Sequence, residues 1–252
     1  MDIKIIVATH KAYPMPKDDM YLPVQVGRAG KAPLSYQGDN TGEHISEKNP
    51  HYCELTGLYW AWKNVKADYL GLVHYRRHFA APKRRGTKWE RILTREALEP
   101  ILAQYPAILP TKRNYFIETN YSQYVHAHHV QDLETTRAIL AQRYPDYLPA
   151  YDRLMGKRTG HRFNMFILRW DLLDGYCTWL FDVLFELERR LDISTYSDYD
   201  ARVFGFVSER LLDVWMETNQ ISYAELPVLY MERQNWLIKG GAFLKRKFLG
   251  KN

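Results

Sequence analysis

The sequence predicts an α/β sandwich with a mostly parallel central sheet and flanking helices. Three observations carry this. Short apolar runs at Ile3–Thr9 (IKIIVAT), 69–75 (YLGLVHY) and 163–168 (FNMFIL) have the length and composition of buried strands. Segments with helical apolar spacing separate them, as strand–helix alternation in such folds requires. The 252 residues, 46% apolar and 25% charged, suffice for one sizeable core.

In chain order, the run at Ile3–Thr9 is the first strand. Residues 10–48 are rich in Pro, Gly, Asp and Asn, and so irregular a stretch in a compact domain reads as a functional loop or lid. Asn49-Pro50 reads as a helix start, with Asn as the cap and Pro in the first turn. Leu55, Leu58, Tyr59, Trp62 and Val65 continue that helix at regular spacing. Residues 69–75 form the second strand, and 80–90 a basic loop containing Lys83, Arg84, Arg85 and Lys88. Thr94 caps a short helix that turns Leu98, Ile101 and Leu102 inward, and 107–109 is a short strand ended by Pro110. Asp132 caps a helix running to about Arg143, which Tyr144-Pro145 ends. After the strand at 163–168 come two amphipathic helices. One carries Tyr176, Trp179, Leu180, Val183, Leu184 and Leu187; the other carries Val203, Phe206, Val207, Leu211, Val214 and Trp215. Residues 226–231 are a last strand. The expected organisation is one domain over 1–235 and a basic amphipathic tail over 236–252, where Lys239, Lys245, Arg246, Lys247 and Lys251 alternate with apolar residues such as Trp236 and Phe243.

Composition narrows the function classes. Cys53 and Cys177 are the two cysteines and no CxxC occurs, which argues against a disulfide scaffold or a zinc site. The start, Met1-Asp2-Ile3-Lys4, lacks a signal-peptide pattern, and no run approaches the roughly 18 apolar residues of a spanning helix. The expected location is therefore the cytoplasm, peripheral at the inner face of the plasma membrane, with the tail on anionic lipid. A net charge of +6 favours anionic partners. Nineteen Tyr and seven Trp suit sugar stacking as well as cores. The absence of GxxxxGK[ST], GxGxxG and GxSxG removes support for P-loop, dinucleotide-binding and α/β-hydrolase readings.

In a sheet of this class, ligands sit at the carboxyl ends of the strands. That rule selects Thr9, His10 and Lys11 after the first strand, His74, Tyr75, Arg76 and Arg77 after the second, and the surroundings of Asn164. The run His74-Tyr75-Arg76-Arg77-His78 is the strongest local signal. Arg offers a planar fork of donors that matches phosphate oxygens. His126, His128, His129 and Asp132 cluster, but HxHH is not a specific metal spacing, and hydrogen bonding is the favoured role. Asp198-Tyr199-Asp200 can hold Mn²⁺ or Mg²⁺ against a diphosphate or can serve as a helix cap. No metal ligand is assigned.

The segment CELTGLYWAWKN at 53–64, followed by YLGLVHYRR at 69–77, resembles the family filed as domain of unknown function 4422. HVQDL at 129–133, NMFI at 164–167 and RVFGFVSERL at 202–211 extend the likeness over nearly the whole chain. The resemblance implies a GT-A-like nucleotide-sugar-binding domain. It implies transfer of a hexosyl unit, galactosyl or galactofuranosyl, from a UDP-sugar to a lipid-linked glycan in surface polysaccharide synthesis. In that frame Thr9, His10 and Lys11 border the nucleotide, and Asp39, Asn40, Ser46 and Asn49 close over the donor. Arg76 and Arg77 stand where many GT-A enzymes place a metal-binding DxD, and they neutralise the leaving diphosphate. Asp132 and Glu209 are the candidate general bases. His44 stands where the family pattern leads one to expect Asn. Two other classes compete: a non-catalytic glycan-binding module, and a nucleic-acid binder, which no motif supports.

Overall fold

The computed structural model describes residues 1–82 and 85–232. Lys83 and Arg84 of the basic loop, and the tail at 236–252, lie outside the described residues. The strands are β1 (Ile3–Thr9), β2 (Tyr21–Gln25), β3 (Gln37–Gly38), β4 (Tyr69–His74), β5 (Arg77–Phe79), β6 (Ala107–Pro110), β7 (Arg113–Asn114), β8 (Thr159–Gly160), β9 (Phe166–Arg169), β10 (Ala224–Leu226) and β11 (Val228–Tyr230). The helices are α1 (Asn49–Tyr52), α2 (Leu55–Asn64), α3 (Arg95–Leu102), α4 (Asn120–Val125), α5 (Val130–Arg143), α6 (Leu148–Gly156), α7 (Trp170–Arg190) and α8 (Val203–Thr218).

The main sheet runs β10-β6-β9-β4-β1-β2-β3. All neighbouring strands along it are parallel except β9, which is antiparallel to β4 and β6. A short hairpin, β4–β5, folds off its edge and pairs with β11. The ribbon of β7 and β8 stands apart.

Strand alternation builds two cores, one on each face. Ile3, Ile5 and Val7 of β1 join Tyr69, Val73, Ile108 and Ile167 on one side, where α3 packs with Leu98 and Leu102. Ile6 and Ala8 join Leu70, Leu72, Phe166 and Leu168 on the other, beneath α2, α7 and α8. Gly71 lies between Ile5 and Ile167. A Cβ there would meet Ile167 Cγ1 and the Phe166 carbonyl, both at 2.9 Å, so glycine permits the close approach of β4 and β9.

Five expectations shift. The stretch 10–48, read as irregular, contains β2 and β3, and the strand read over 226–231 is β10 and β11, which part at Pro227. The helix read from Asn49 is two helices, because Cys53 at φ +54° interrupts the run between α1 and α2. The strand read from 163 begins at Phe166, since Phe163 (φ +78°) and Asn164 (φ +51°) turn before it. The cap of α5 falls at His129, and Asp132 occupies the first turn. Among the described residues no helix is long and apolar enough to cross a membrane.

Candidate functional site

A cleft of about 700 Å³ opens at the carboxyl ends of β1 and β4, walled on the far side by the first turns of α8. The β4–β5 hairpin supplies its floor. Its two-residue turn, Tyr75-Arg76, leaves His74 and Arg77 as a cross-strand pair, so both side chains share the cleft face. His78, one residue on, points the opposite way. It is fully buried against Tyr21, neither ring nitrogen completes a hydrogen bond, and burial pushes its pKa down to about 4. His78 is thus a neutral core residue. His74 also stays neutral, because burial and then Arg77 lower its pKa against the pull of Glu54. Its Nε2 donates to the Phe163 carbonyl at 2.5 Å, which fixes the ring.

The cations of the cleft are therefore Arg76 and Arg77, joined by Lys31 and Arg202. Arg76 bonds Glu232 at 3.2 Å. Arg77 forms no ion pair among the described residues, its Nε has no hydrogen-bond partner, and its guanidinium stacks 4.5 Å from the Phe163 ring. Burial lowers its pKa, as expected for a cation held out of water. A half-buried guanidinium with an orphaned donor is costly unless an anion completes it.

Gly205, Phe206 and Glu209 share one stripe of α8, and Arg202 at its N-cap joins them on the cleft. Arg202 Nε donates to Cys53 Sγ at 3.2 Å. Burial holds the Cys53 thiol up at about 11, so it is protonated near neutrality and unsuited to act as a nucleophile. Glu54 faces the same space. Its Oε1 accepts from Asn164 Nδ2 at 2.7 Å, while Asn164 also donates to the Gly205 carbonyl and accepts from Ser208 Oγ. Cys53, Phe163 and Asn164, three of the five non-glycine residues with positive φ among those described, thus cluster around this cleft. Backbone strain of that kind persists where the surroundings over-determine it, and it concentrates at functional sites.

The family model described as domain of unknown function (DUF4422) matches residues 4–220. The chain belongs to the DUF4422 family. Its structure is similar to the apo structure of WbbM, a bifunctional glycosyltransferase, with a TM-score of 0.86 and 29% identity. The match covers 92% of this chain and 46% of that one, so this chain spans under half the length of WbbM. No curated protein matches. The fold is GT-A-like: a mostly parallel sheet with flanking helices and the cleft at its strand ends.

Among the residues singled out in this DUF4422 chain, His10, Asn49, His74, Tyr75, Arg76, Arg77 and Glu209 line the cleft. His10 sits edge-on to Tyr75 at 5.3 Å, and burial and Arg76 hold its pKa below the ordinary value. Lys11 is exposed at the rim, 3.8 Å from Glu232. Thr9 is buried and its hydroxyl donates to the Lys11 carbonyl, which shapes the turn after β1. Asp39 and Ser46 are scaffold. Asp39 accepts from the amides of Gly27 and Arg28 at 2.8 and 2.9 Å, and Ser46 Oγ accepts from Ala29 N at 3.0 Å. Together they set the loop that carries Lys31, whose Nζ reaches Asn49 at 3.4 Å. Asn40 is half-buried beside that loop, outside the lining, and Asn164 acts behind it through Glu54.

Asp132 stands away from the cleft lining. It is buried, and each carboxylate oxygen accepts from a tyrosine hydroxyl, Tyr124 and Tyr196, both at 2.7 Å. Asp200 turns to His128 at 3.1 Å and to Ser197 Oγ at 2.9 Å, while Tyr199 between the two aspartates faces the cleft. Asp198-Tyr199-Asp200 therefore does not present paired carboxylates to a diphosphate. Among the described residues no group of three or more His, Cys, Asp or Glu is placed to hold a metal ion. Sequence reasoning missed Lys31, Glu54, Tyr199 and Arg202 as site residues. Glu54 and Arg202 lie inside the segments that carry the family likeness, which is the signal that could have found them.

Proposed function

We propose that this chain is a glycosyltransferase. It moves a hexosyl unit, galactosyl or galactofuranosyl, from a UDP-sugar to a lipid-linked glycan in surface polysaccharide synthesis. The observation that carries the reading is Arg77: a partly desolvated guanidinium without a carboxylate partner among the described residues, in a cleft shared with Arg76, Lys31 and Arg202. A nucleotide diphosphate supplies the missing anion. These cations neutralise the charge that grows on the leaving diphosphate, which is electrostatic stabilisation of the transition state. His10 and Asn49 border the nucleotide. Glu209 and Glu54 are the carboxylates of the cleft, and in an inverting transfer one of them takes the proton of the acceptor hydroxyl. The similarity to WbbM, a glycosyltransferase, supports the reaction class.

The test is a thermal-shift panel of UDP, UDP-galactose, UDP-galactofuranose, UDP-glucose and GDP-mannose, each with Mn²⁺ and with chelator. One sugar nucleotide should raise the melting temperature equally under both conditions. Arg77→Ala and Arg76→Ala should each weaken that binding by about 1–3 kcal/mol, the range for hydrogen bonds to charged groups. A flat response to every nucleotide, with binding to free glycans, would move the assignment to a glycan-binding module.

A further inference from the structure

Strands β1, β4 and β6 run in one direction, because β9 is antiparallel to both β4 and β6. The chain therefore leaves β6 at Pro110 on the same edge of the sheet that carries the cleft. It passes through β7 and enters α4 after Thr119, and the turn between them is pinned at both stems. On one side β7 pairs with β8, Tyr115 N donates to the Arg158 carbonyl at 2.8 Å, and the Tyr115 hydroxyl accepts from buried Arg162 at 2.7 Å. On the other, Thr119 and Ser122 form a capping box, and buried Glu118 bonds His126 at 2.6 Å.

Between these fixed stems, Phe116 is 75% exposed and Ile117 65% exposed. They are the most exposed large apolar residues among those described, and they are consecutive. Phe116 adopts φ +59°, a conformation that a bulky residue takes only at a cost. Tyr121, in the first turn of α4, adds a third exposed ring. Arg113 and Arg158 are exposed beside this tip, and the Arg158 guanidinium donates to the Phe116 carbonyl at 3.2 Å. Lys112 and Lys157 nearby pair with Glu225 and Glu217, whereas Arg113 and Arg158 form no ion pair among the described residues.

We propose that the loop from Tyr115 to Glu118 is a docking wedge for an anionic membrane surface. Phe116 and Ile117 enter the headgroup region, and Arg113 and Arg158 meet lipid phosphates. An apolar tip with exposed arginines outside any ion pair at its base has the composition of an interfacial contact. A stable protein interface needs far more apolar area than two protruding side chains offer. The wedge stands on the cleft's edge of the sheet, so docking turns the cleft toward the bilayer. It is separate from the tail at 236–252 and does not depend on the transferase reading.

The experiment is co-sedimentation of the full chain with vesicles of phosphatidylcholine alone and with vesicles rich in phosphatidylglycerol. The wild type should bind the anionic vesicles, lose them as salt rises, and leave the neutral ones. The double variants Phe116→Ser/Ile117→Ser and Arg113→Gln/Arg158→Gln should each bind at least about tenfold more weakly. Their melting temperatures should match the wild type, since the altered side chains are exposed. Unchanged binding of the Phe116→Ser/Ile117→Ser variant would place membrane contact elsewhere in the chain and overturn the proposal. Equal binding to neutral vesicles, or no binding by the wild type, would overturn it too. A dimer in sedimentation velocity that the same variant dissolves would assign the surface to a second copy instead.

Discussion

Two arginines and two histidines share the five consecutive positions from the last residue of β4 into β5, yet the side chains divide by strand alternation. His74 and Arg77 fall on the cleft face, and His78 falls in the opposite core. Arg76 and Arg77, singled out from the sequence, both line the cleft, whereas burial keeps His78 neutral. This has a measurable consequence. The ordinary histidine pKa is 6.5, and in the folded chain His78 sits near 4. Between those values the unfolded chain binds a proton that the native chain excludes. Stability from this group is therefore complete above about pH 6.5 and falls as the pH drops toward 4. By pH 4.5 the loss from His78 alone should reach about 2 kcal/mol. His78→Leu, of similar volume and without orphaned nitrogens, should remove that part of the acid sensitivity and cost little at pH 7. Urea unfolding of both proteins at pH 7 and pH 4.5 checks it. An equal acid loss in the two proteins would mean that His78 does not control it.

At the level of elements, apolar periodicity revealed the strong pieces: β1, β4, α7, α8 and the heart of α2. What it could not show was where those elements break. The pattern through 49–65 is continuous, and nothing in it marks Cys53 as left-handed. The pattern at 163–168 is equally apolar, although Phe163 and Asn164 belong to the turn before β9. Both breaks serve the cleft. The gap between α1 and α2 presents Glu54, and the turn before β9 presents Asn164 to hold it. Asp132, by contrast, was chosen from a local pattern, and its carboxylate is taken up by Tyr124 and Tyr196 in the helical layer. The general base is therefore expected on the interrupted segment or on the cleft-facing stripe of α8. Glu54→Gln and Glu209→Gln should both keep donor-induced thermal stabilisation. The variant that removes the base should lose transfer by roughly 10²–10⁴-fold, and the other should lose far less. Single-turnover transfer to an acceptor measures this. Full activity in both variants would leave a retaining mechanism, which needs no such base.

Across the whole molecule, charge separates into two populations. Much of it is internally balanced along the helical layer. Arg143 pairs with Asp182 and Glu186, Arg190 with Glu186, Arg153 and Lys157 with Glu217, and Arg137 with Asp152. Exposed pairs of this kind contribute little stability each, but they cancel the field they would otherwise project. The net +6 of the whole chain resides in sequence outside the described residues, where Lys83, Arg84 and the Arg and Lys residues of 233–252 meet no Asp or Glu. Arg77 in the cleft, and Arg113 and Arg158 beside the wedge, form no ion pair among the described residues, although Glu209 and Glu54 act on Arg77 from a distance. A cleft of about 700 Å³ matches a nucleotide-sized ligand, whereas a duplex would need a broad unpaired basic face. UDP should therefore stabilise the fold more than UMP, by about tenfold or more in affinity, because the second phosphate completes the Arg77 donor. Raising salt should weaken the effect only moderately, since the site is partly desolvated. Short duplex DNA should neither shift the melting temperature nor displace UDP. Equal stabilisation by UMP and UDP would remove the diphosphate from the cation cluster. Displacement of UDP by DNA with a steep salt dependence would show that the unbalanced charge serves a polyanion, and the cleft would then be part of a larger basic surface rather than a closed donor site.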